Sequence, residues 1–225
     1  LRMGDLGYTS NAQSSLNVCY NNLDNYLATL SNAIVTPHPS YAQFDVTENG
    51  ERAQLNDSLL QIENEFYSPI RPKRVAQSGE APIVALKRGG IEYIEIRCID
   101  INPFLPLGID AQTMRLIDVF LVDAILSESP LCDEDGQRRN QENLRRVVND
   151  GRSPDLQLLT PEGEKPLQTV AQELFNSMSH TAEAMDAEAG SDLHQQAMTA
   201  ASARIVDPES TPSGRVLQEM RDTNT

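Results

Sequence analysis

Apolar and polar residues alternate through Gly89-Gly90-Ile91-Glu92-Tyr93-Ile94-Glu95-Ile96-Arg97-Cys98-Ile99-Asp100. A period of two predicts a strand, with Tyr93, Glu95 and Arg97 on one face and Ile94, Ile96 and Cys98 on the other. The second face reads as core, which puts Cys98 inside. Leu60-Gln61-Ile62-Glu63-Asn64-Glu65-Phe66-Tyr67 has the same design and predicts a second strand, with Glu63, Glu65 and Tyr67 on one face. It runs into Ser68-Pro69-Ile70-Arg71-Pro72-Lys73-Arg74, where each X-Pro step favours extended backbone. This basic, proline-stiffened piece reads as a short connection. Together the two stretches predict an antiparallel sheet with carboxylates on one face and cations at its rim.

Elsewhere the pattern turns helical. Leu16, Tyr20, Leu23, Leu27 and Leu30 predict a helix over residues 14–32. Asp110 is the N-cap of a helix whose apolar face is Met114, Ile117, Leu121, Ile125 and Leu126, and this face is expected to cover the sheet. Further helices are predicted at 137–150, 167–187, 193–205 and 215–220. Residues 41–55 read as a hairpin or strand insertion turning at Glu48-Asn49-Gly50, 156–159 as a short strand and 160–166 as a turn. Asp118, Asp123, His180 and His194 read as solvated helix positions, and Asp133-Glu134-Asp135 as a solvated turn. The fold class is therefore α+β, with a mixed first part, residues 1–108, and a helical part, residues 109–225. Because the sheet needs the helix after Asp110 to cover it, these are not expected to be independent domains.

The face carrying Tyr93, Glu95 and Arg97 has two readings. On a solvated sheet it is a cross-strand ion pair. On the wall of a cavity, the carboxylate suits Mg²⁺ and the guanidinium a phosphate. The 225 residues carry a formal net charge of −15, which argues against a nucleic-acid surface but leaves room for a local phosphate site. No apolar run approaches the ~18 residues of a membrane span, so no membrane partner is expected. Cys19, Cys98 and Cys132 are widely spaced and odd in number, which suits a reducing cytoplasm. The chain has neither a nucleoside-triphosphatase phosphate loop nor a dinucleotide fingerprint, so phosphate binding would rest on metal and Arg.

Four ordered motifs complete the picture. Leu1-Arg2-Met3-Gly4-Asp5-Leu6-Gly7-Tyr8, then Gln61 through Arg74, then Arg88 through Arg97, then Asp100-Ile101-Asn102-Pro103-Phe104 resemble glutamate–cysteine ligase of the proteobacterial type. The similarity is strong from residue 1 to about Leu126 and weaker beyond. The resemblance implies a glutamine-synthetase-like fold, in which an antiparallel sheet forms a funnel covered outside by helices. It implies ATP- and Mg²⁺-dependent ligation, with Mn²⁺ as a possible substitute, of L-glutamate to L-cysteine through γ-glutamyl phosphate, the first step of glutathione biosynthesis. It implies Glu95 as metal ligand, Arg97 on the transferring phosphoryl group, and Arg2, Tyr8 and Tyr67 on the cysteine side. It also puts Arg88 beside the nucleotide. Facing and charge add Glu63, Glu65, Arg71, Lys73 and Arg74. The family is about twice this long with further ligands upstream, so the chain is expected to be an internal fragment, inactive alone, whose partner is the remaining N-terminal part of the same enzyme. The alternatives are a non-catalytic remnant of such a ligase, or a carboxylate–amine ligase with another acceptor.

Overall fold

The structure, a computed structural model, describes Gly4 and residues 12–13, 16–44, 50–51 and 53–224. Arg2, Tyr8 and the Glu48-Asn49 part of the predicted turn lie outside the described residues. The fold is α+β, and its backbone contacts divide into two units. The first comprises Leu1–Ile99 with Leu131–Gln137, the second Asp100–Pro130 with Arg138–Thr225.

In the first unit, helix α1 spans Leu23–Ala33. It starts well after residue 14 because Asn22 is extended and its side chain accepts from the Asn25 N–H at 2.8 Å, a side-chain N-cap. Tyr26, Leu27, Leu30 and Ala33 form its buried stripe, packed with Leu60, Phe66 and Leu86. A short helix α2, Pro39–Ala42, replaces the expected start of a hairpin, with Pro39 at the first helical position. The predicted strand through Glu63 and Glu65 is instead a 3₁₀ turn, Glu63–Glu65. The Glu65 carboxylate accepts the Gln61 N–H at 2.7 Å, a local bond that competes with strand pairing. Leu60 and Phe66 anchor the turn in the core.

The strand is the proline-stiffened piece itself: β1, Ile70–Lys73. Pro72 lacks a donor, and a two-stranded sheet has only edge strands, where that lack is tolerated. Helix α3, Pro82–Gly89, follows and is closed by Gly90 at φ +73. Strand β2, Tyr93–Ile96, then pairs antiparallel with β1. Cys98, predicted to be core, is exposed, because β2 ends at Ile96 and the alternation is no longer imposed. Asn21 ties in the later segment of this unit: its side-chain amide donates to the Cys132 carbonyl at 3.0 Å and accepts the Cys132 N–H at 2.8 Å.

The second unit holds α4, Ala111–Leu126, most of α5, Glu134–Asp150, and the hairpin β3–β4, Gln157–Thr160 with Gly163–Pro166. It continues with α6, Leu167–Ala189, α7, Leu193–Val206, and α8, Pro212–Thr223. Asp110 caps α4 as expected, accepting from the Thr113 N–H at 2.8 Å. The buried seam of α4 differs from the predicted one. Met114, Ile125 and Leu126 are exposed, while Val119 and Asp123, four residues apart, are buried. The expected cover for this helix was the sheet; the observed core joins Val119 and Leu116 to Met178 and Ala182 of α6 and Met198 of α7. The segment 160–166, predicted as a turn, supplies strand β4. Asp133 begins α5, accepting from the Gly136 N–H at 2.7 Å, so Glu134 and Asp135 lie in a helix rather than a loop.

Asp123, predicted to be solvated, is structural, and so is Asp186, for which the sequence carried no signal. Asp123 is buried and accepts from Thr181 Oγ1 at 2.8 Å and Ser177 Oγ at 3.3 Å. Asp186 is 1% exposed and joins α6 to the start of α7. It accepts the N–H groups of His194 and Gln195 at 3.0 and 2.9 Å, the Ser191 hydroxyl at 3.0 Å, and lies 2.7 Å from His194 Nδ1. Burial works to raise its pKa, but these donors outweigh burial and hold the carboxyl below the usual carboxylate range. His194 is thus a partly buried partner of Asp186 and not a surface residue, whereas His180 is exposed as expected.

Candidate functional site

The β1–β2 ladder decides which charges meet. Ile70 stands opposite Ile96, Arg71 opposite Glu95, Pro72 opposite Ile94 and Lys73 opposite Tyr93. The pairing extends at both ends, with Arg97 N–H donating to Pro69 O at 2.7 Å and Glu92 N–H to Lys73 O at 2.9 Å. Side chains two apart share a face, so Arg71, Lys73, Tyr93, Glu95 and Arg97 form one charged patch. The expected grouping of Tyr93, Glu95 and Arg97 holds. The cations expected at the rim are instead in the ladder, directly across from them.

Glu95 is the only acid of this patch. Its carboxylate lies 3.6 Å from Lys73 Nζ and 3.4 Å from Arg97 Nε. Both separations are longer than a good charge-assisted hydrogen bond. Arg97 also lies over the Tyr67 ring, 5.1 Å from its centroid, a cation–π contact. Tyr67 is fixed from behind: its N–H donates to Gln13 Oε1 at 3.2 Å, and Gln13 Nε2 donates to Glu65 O at 3.0 Å. Gln13 was missed in the sequence, where a lone Gln before an amphipathic helix carries no signal.

Among the described residues Arg71 is the most buried cation, 7% exposed. Its Nη2 donates to the Asn64 carbonyl at 3.0 Å, while its buried Nε has no hydrogen-bond partner. The Nε atoms of Arg74 and Arg97 are likewise buried and without a hydrogen bond. Burial lowers the Arg71 pKa, the neighbouring Arg97 charge lowers it further, and Tyr26, Glu95 and Tyr20 oppose both. With a starting value so high it remains a cation. Tyr26, facing the same region, has its hydroxyl pushed up to about 12, by burial first and then by Tyr20, with Arg71 working against both.

The remaining predicted residues are placed elsewhere. Glu63 accepts from the Ile83 N–H at 3.4 Å, on the first turn of α3, and Glu65 closes its own turn, so neither joins the Glu95 face. The 3₁₀ turn explains this, since it removes the period-two alternation that would have aligned them. Arg74 pairs loosely with Glu92 at 3.5 Å. Gly89 makes room for it: a Cβ there would stand 2.3 Å from Arg74 Nε. Arg88 is held by Glu80 in a two-pronged pair at 2.9 and 3.0 Å. The same pair, with the Gln77 N–H, lowers the Glu80 pKa to about 2.

As a metal position the patch offers one hard donor, the Glu95 carboxylate. Among the described residues no group of three or more His, Cys, Asp or Glu side chains converges on a metal. Mg²⁺ favours about six oxygens and is often held by one or two carboxylates, so Glu95 fits as one ligand of a shared set and not as a site by itself. As an anion position it offers Lys73 and Arg97, with Arg71 buried beside them, against one acid.

Comparison with known proteins supplies the context. Residues 1–147 match the family model described as glutamate-cysteine ligase. A glutamate–cysteine ligase of Pseudomonas paraeruginosa is 46% identical over 222 residues, which is 99% of this chain and 42% of the relative. One from Shewanella oneidensis is 47% identical over 220 residues, 98% of this chain and 42% of the relative. Among solved structures, glutamate–cysteine ligase from Francisella tularensis in complex with AMP superposes with a TM-score of 0.89 at 33% identity, covering 98% of this chain and 44% of that one. A bifunctional glutathione synthetase from Pasteurella multocida, 17% identical, shares the fold with a TM-score of 0.64, covering 100% of this chain and 24% of that one. The chain thus spans about 42% of the length of the curated relatives it matches.

Proposed function

This chain belongs to the glutamate–cysteine ligase family, and on that footing we propose that it supplies the phosphoryl-handling face of an ATP-dependent ligase that makes γ-glutamylcysteine. The observation that carries the reading is the β1–β2 register, which sets Arg71 and Lys73 across from Glu95 and Tyr93, with Arg97 next in line over Tyr67.

A carboxylate is a poor acylating agent. In the proposed reaction a γ-carboxylate oxygen of glutamate attacks the terminal phosphorus of ATP, and ADP leaves. The amine of cysteine then attacks the acyl carbon, inorganic phosphate leaves, and the amine gives up a proton. Transfer of this kind needs charge neutralisation more than covalent help from the protein. Arg97 takes the transferring phosphoryl group, its guanidinium held over the Tyr67 ring. Lys73 supplies a second cation to the same oxygens, and Tyr67 forms part of the wall on the cysteine side. Glu95 is a ligand to Mg²⁺ or Mn²⁺, a Lewis acid that offsets phosphate charge when bound. Arg2 and Tyr8 complete the cysteine side on this reading. The Francisella relative was solved in complex with AMP, which supports nucleotide binding by the complete ligase.

With one carboxylate ligand, the chain by itself is inactive on this proposal, and the rest of the ligase supplies the other ligands. The β1–β2 pair then forms part of a larger glutamine-synthetase-like antiparallel sheet. Cys19, Cys98 and Cys132 form no disulfide, and a reducing, cytoplasmic setting belongs to the same proposal. No described helix is long and apolar enough to cross a membrane. The test is ADP release by the complete ligase containing this sequence. Release that requires glutamate, cysteine and Mg²⁺ together supports the reading. Release with another amine in place of cysteine would change the acceptor, and no release at all would leave a binding remnant.

A further inference from the structure

Three buried guanidinium Nε atoms without hydrogen bonds lie in one small region, and Arg71 is the deepest of them. Its one fixed partner is the neutral carbonyl of Asn64. Among the described residues it makes no ion pair closer than 4 Å. Taking a guanidinium out of water without a counter-charge is costly, and a second guanidinium, Arg97, adds repulsion. A void of about 20 Å³ bordered by Arg71, Asn64, Lys73 and Glu63 has room for a water. Water there would serve a hydrogen bond but would not offset the charge.

The register says what the charge acts on. Arg71 is the direct cross-strand partner of Glu95, and Arg97 reaches the same carboxylate from the other side along β2. Three cations therefore surround one acid: Lys73 at 3.6 Å, Arg97 at 3.4 Å, and Arg71 across the ladder without an ion pair of its own. Arg97 Nε stands 3.4 Å from Glu95 without making a hydrogen bond, and its guanidinium lies over Tyr67. Resting on the function proposed above, we propose that Arg71 is a positioning residue: a fixed, buried cation that keeps Arg97 from closing onto Glu95, so that its guanidinium stays open to a phosphate. Arg71 does not itself reach the phosphate. Its charge acts through the carboxylate it faces and through repulsion of Arg97. Without that charge, Arg97 folds down into an aligned pair with Glu95 and is lost to the ligand.

The test measures binding of inorganic phosphate and ADP to the complete ligase by calorimetry without divalent metal, beside initial rates with metal. Arg71→Met removes the charge at similar length and is expected to weaken both ligands about tenfold. It should lower kcat by a similar factor and leave KM for cysteine unchanged. Arg71→Lys keeps the charge and should stay within about threefold of wild type. The diagnostic variant is Arg71→Met combined with Glu95→Gln. With no carboxylate to close onto, Arg97 is free again, and phosphate binding without metal should recover although turnover does not. A purely structural Arg71 would give no such recovery. Wild-type phosphate affinity in Arg71→Met overturns the inference, as does a double variant that binds no better than Arg71→Met. If Arg71→Met does not fold, a folded Arg71→Lys that loses about tenfold or more in phosphate affinity overturns it too. Failure of the wild-type ligase to release ADP with glutamate and cysteine would instead remove the proposed function, so the two failures are distinguishable.

Discussion

Glu95→Gln separates function from stability at this site. The change keeps the shape of the side chain and removes its charge. In the structure Glu95 is 40% exposed and pairs with Lys73 at 3.6 Å and Arg97 at 3.4 Å, both longer than an optimal charged hydrogen bond. Partly exposed pairs of this kind contribute about 0.2–1 kcal/mol each, and Arg71 behind them gains a little repulsion when the acid is lost. The total loss is therefore about 1–2 kcal/mol at most. For a chain of this size that is a fall of roughly 2–8 °C in Tm, and a smaller one in the longer complete ligase. Turnover should fall much further. Loss of a single electrostatic contact to a developing charge typically costs about 10²–10³ in kcat. The assay is a pair of measurements on the complete ligase, a thermal melt and ADP release across a Mg²⁺ series. A large rate loss with a small Tm shift is the expected result. Turnover within about threefold of wild type would refute the role of Glu95 as a ligand, since loss of even one such contact costs far more. A Tm drop beyond about 10 °C would refute the reading of Glu95 as structurally inexpensive.

Other expectations concern the stability of the chain itself and, for Arg97, the rate of the complete ligase. Leu60→Ala empties a fully buried position in the core of Tyr26, Leu30, Phe66 and Leu86, and urea unfolding should show a loss of about 2–5 kcal/mol. Asp123→Ala and Thr181→Val should be non-additive, with a coupling of about 1–3 kcal/mol from the 2.8 Å hydroxyl–carboxylate bond, and additivity would mean the bond is absent in solution. The Asp186 carboxyl is held below its ordinary value, so the stability it gives is present above the unfolded pKa of about 3.9 and is lost as pH falls through and below it. Melts between neutral and acid pH should show a flatter acid limb in Asp186→Asn than in wild type. An Arg97→Lys ligase keeps the charge but loses the guanidinium contact over Tyr67 and the fork that matches phosphate, so kcat should fall about tenfold or more with folding intact.

The strand β2 was legible because its alternation is strict and local: Tyr93, Ile94, Glu95 and Ile96 state their faces without help from the rest of the chain. Its partner was not. Pro69 and Pro72 make residues 70–73 look like a connector, and only the pairing itself shows that an edge strand can carry them. Glu63 and Glu65 mislead for the opposite reason. Alternation is present there, but the Glu65 bond to the Gln61 N–H closes a turn that period counting does not see. Arg97 and Glu95 were chosen from motif and facing together, whereas the depth of Arg71 follows from α1, the 3₁₀ turn and α3 closing around it. The buried acids of the second unit were not legible at all. Asp123 is satisfied by hydroxyls 54 and 58 residues away, and Asp186 by the opening turn of the next helix. A carboxylate in a helix looks the same in sequence whether its donors are water or distant side chains.

The Asn21–Cys132 tie has a topological consequence. The chain leaves the first unit after Ile99, returns for Leu131–Gln137, and leaves again at Arg138, so three covalent passages join the two units. The return segment is held by the Asn21 amide in the manner of one rung of a sheet. No single cut, therefore, parts this chain into two halves that each keep all of their own residues. A protease nick between residues 100 and 130 leaves both pieces stitched across the gap, and a truncation drawn after residue 108 takes the Cys132 rung away from the part that carries the Glu95 face.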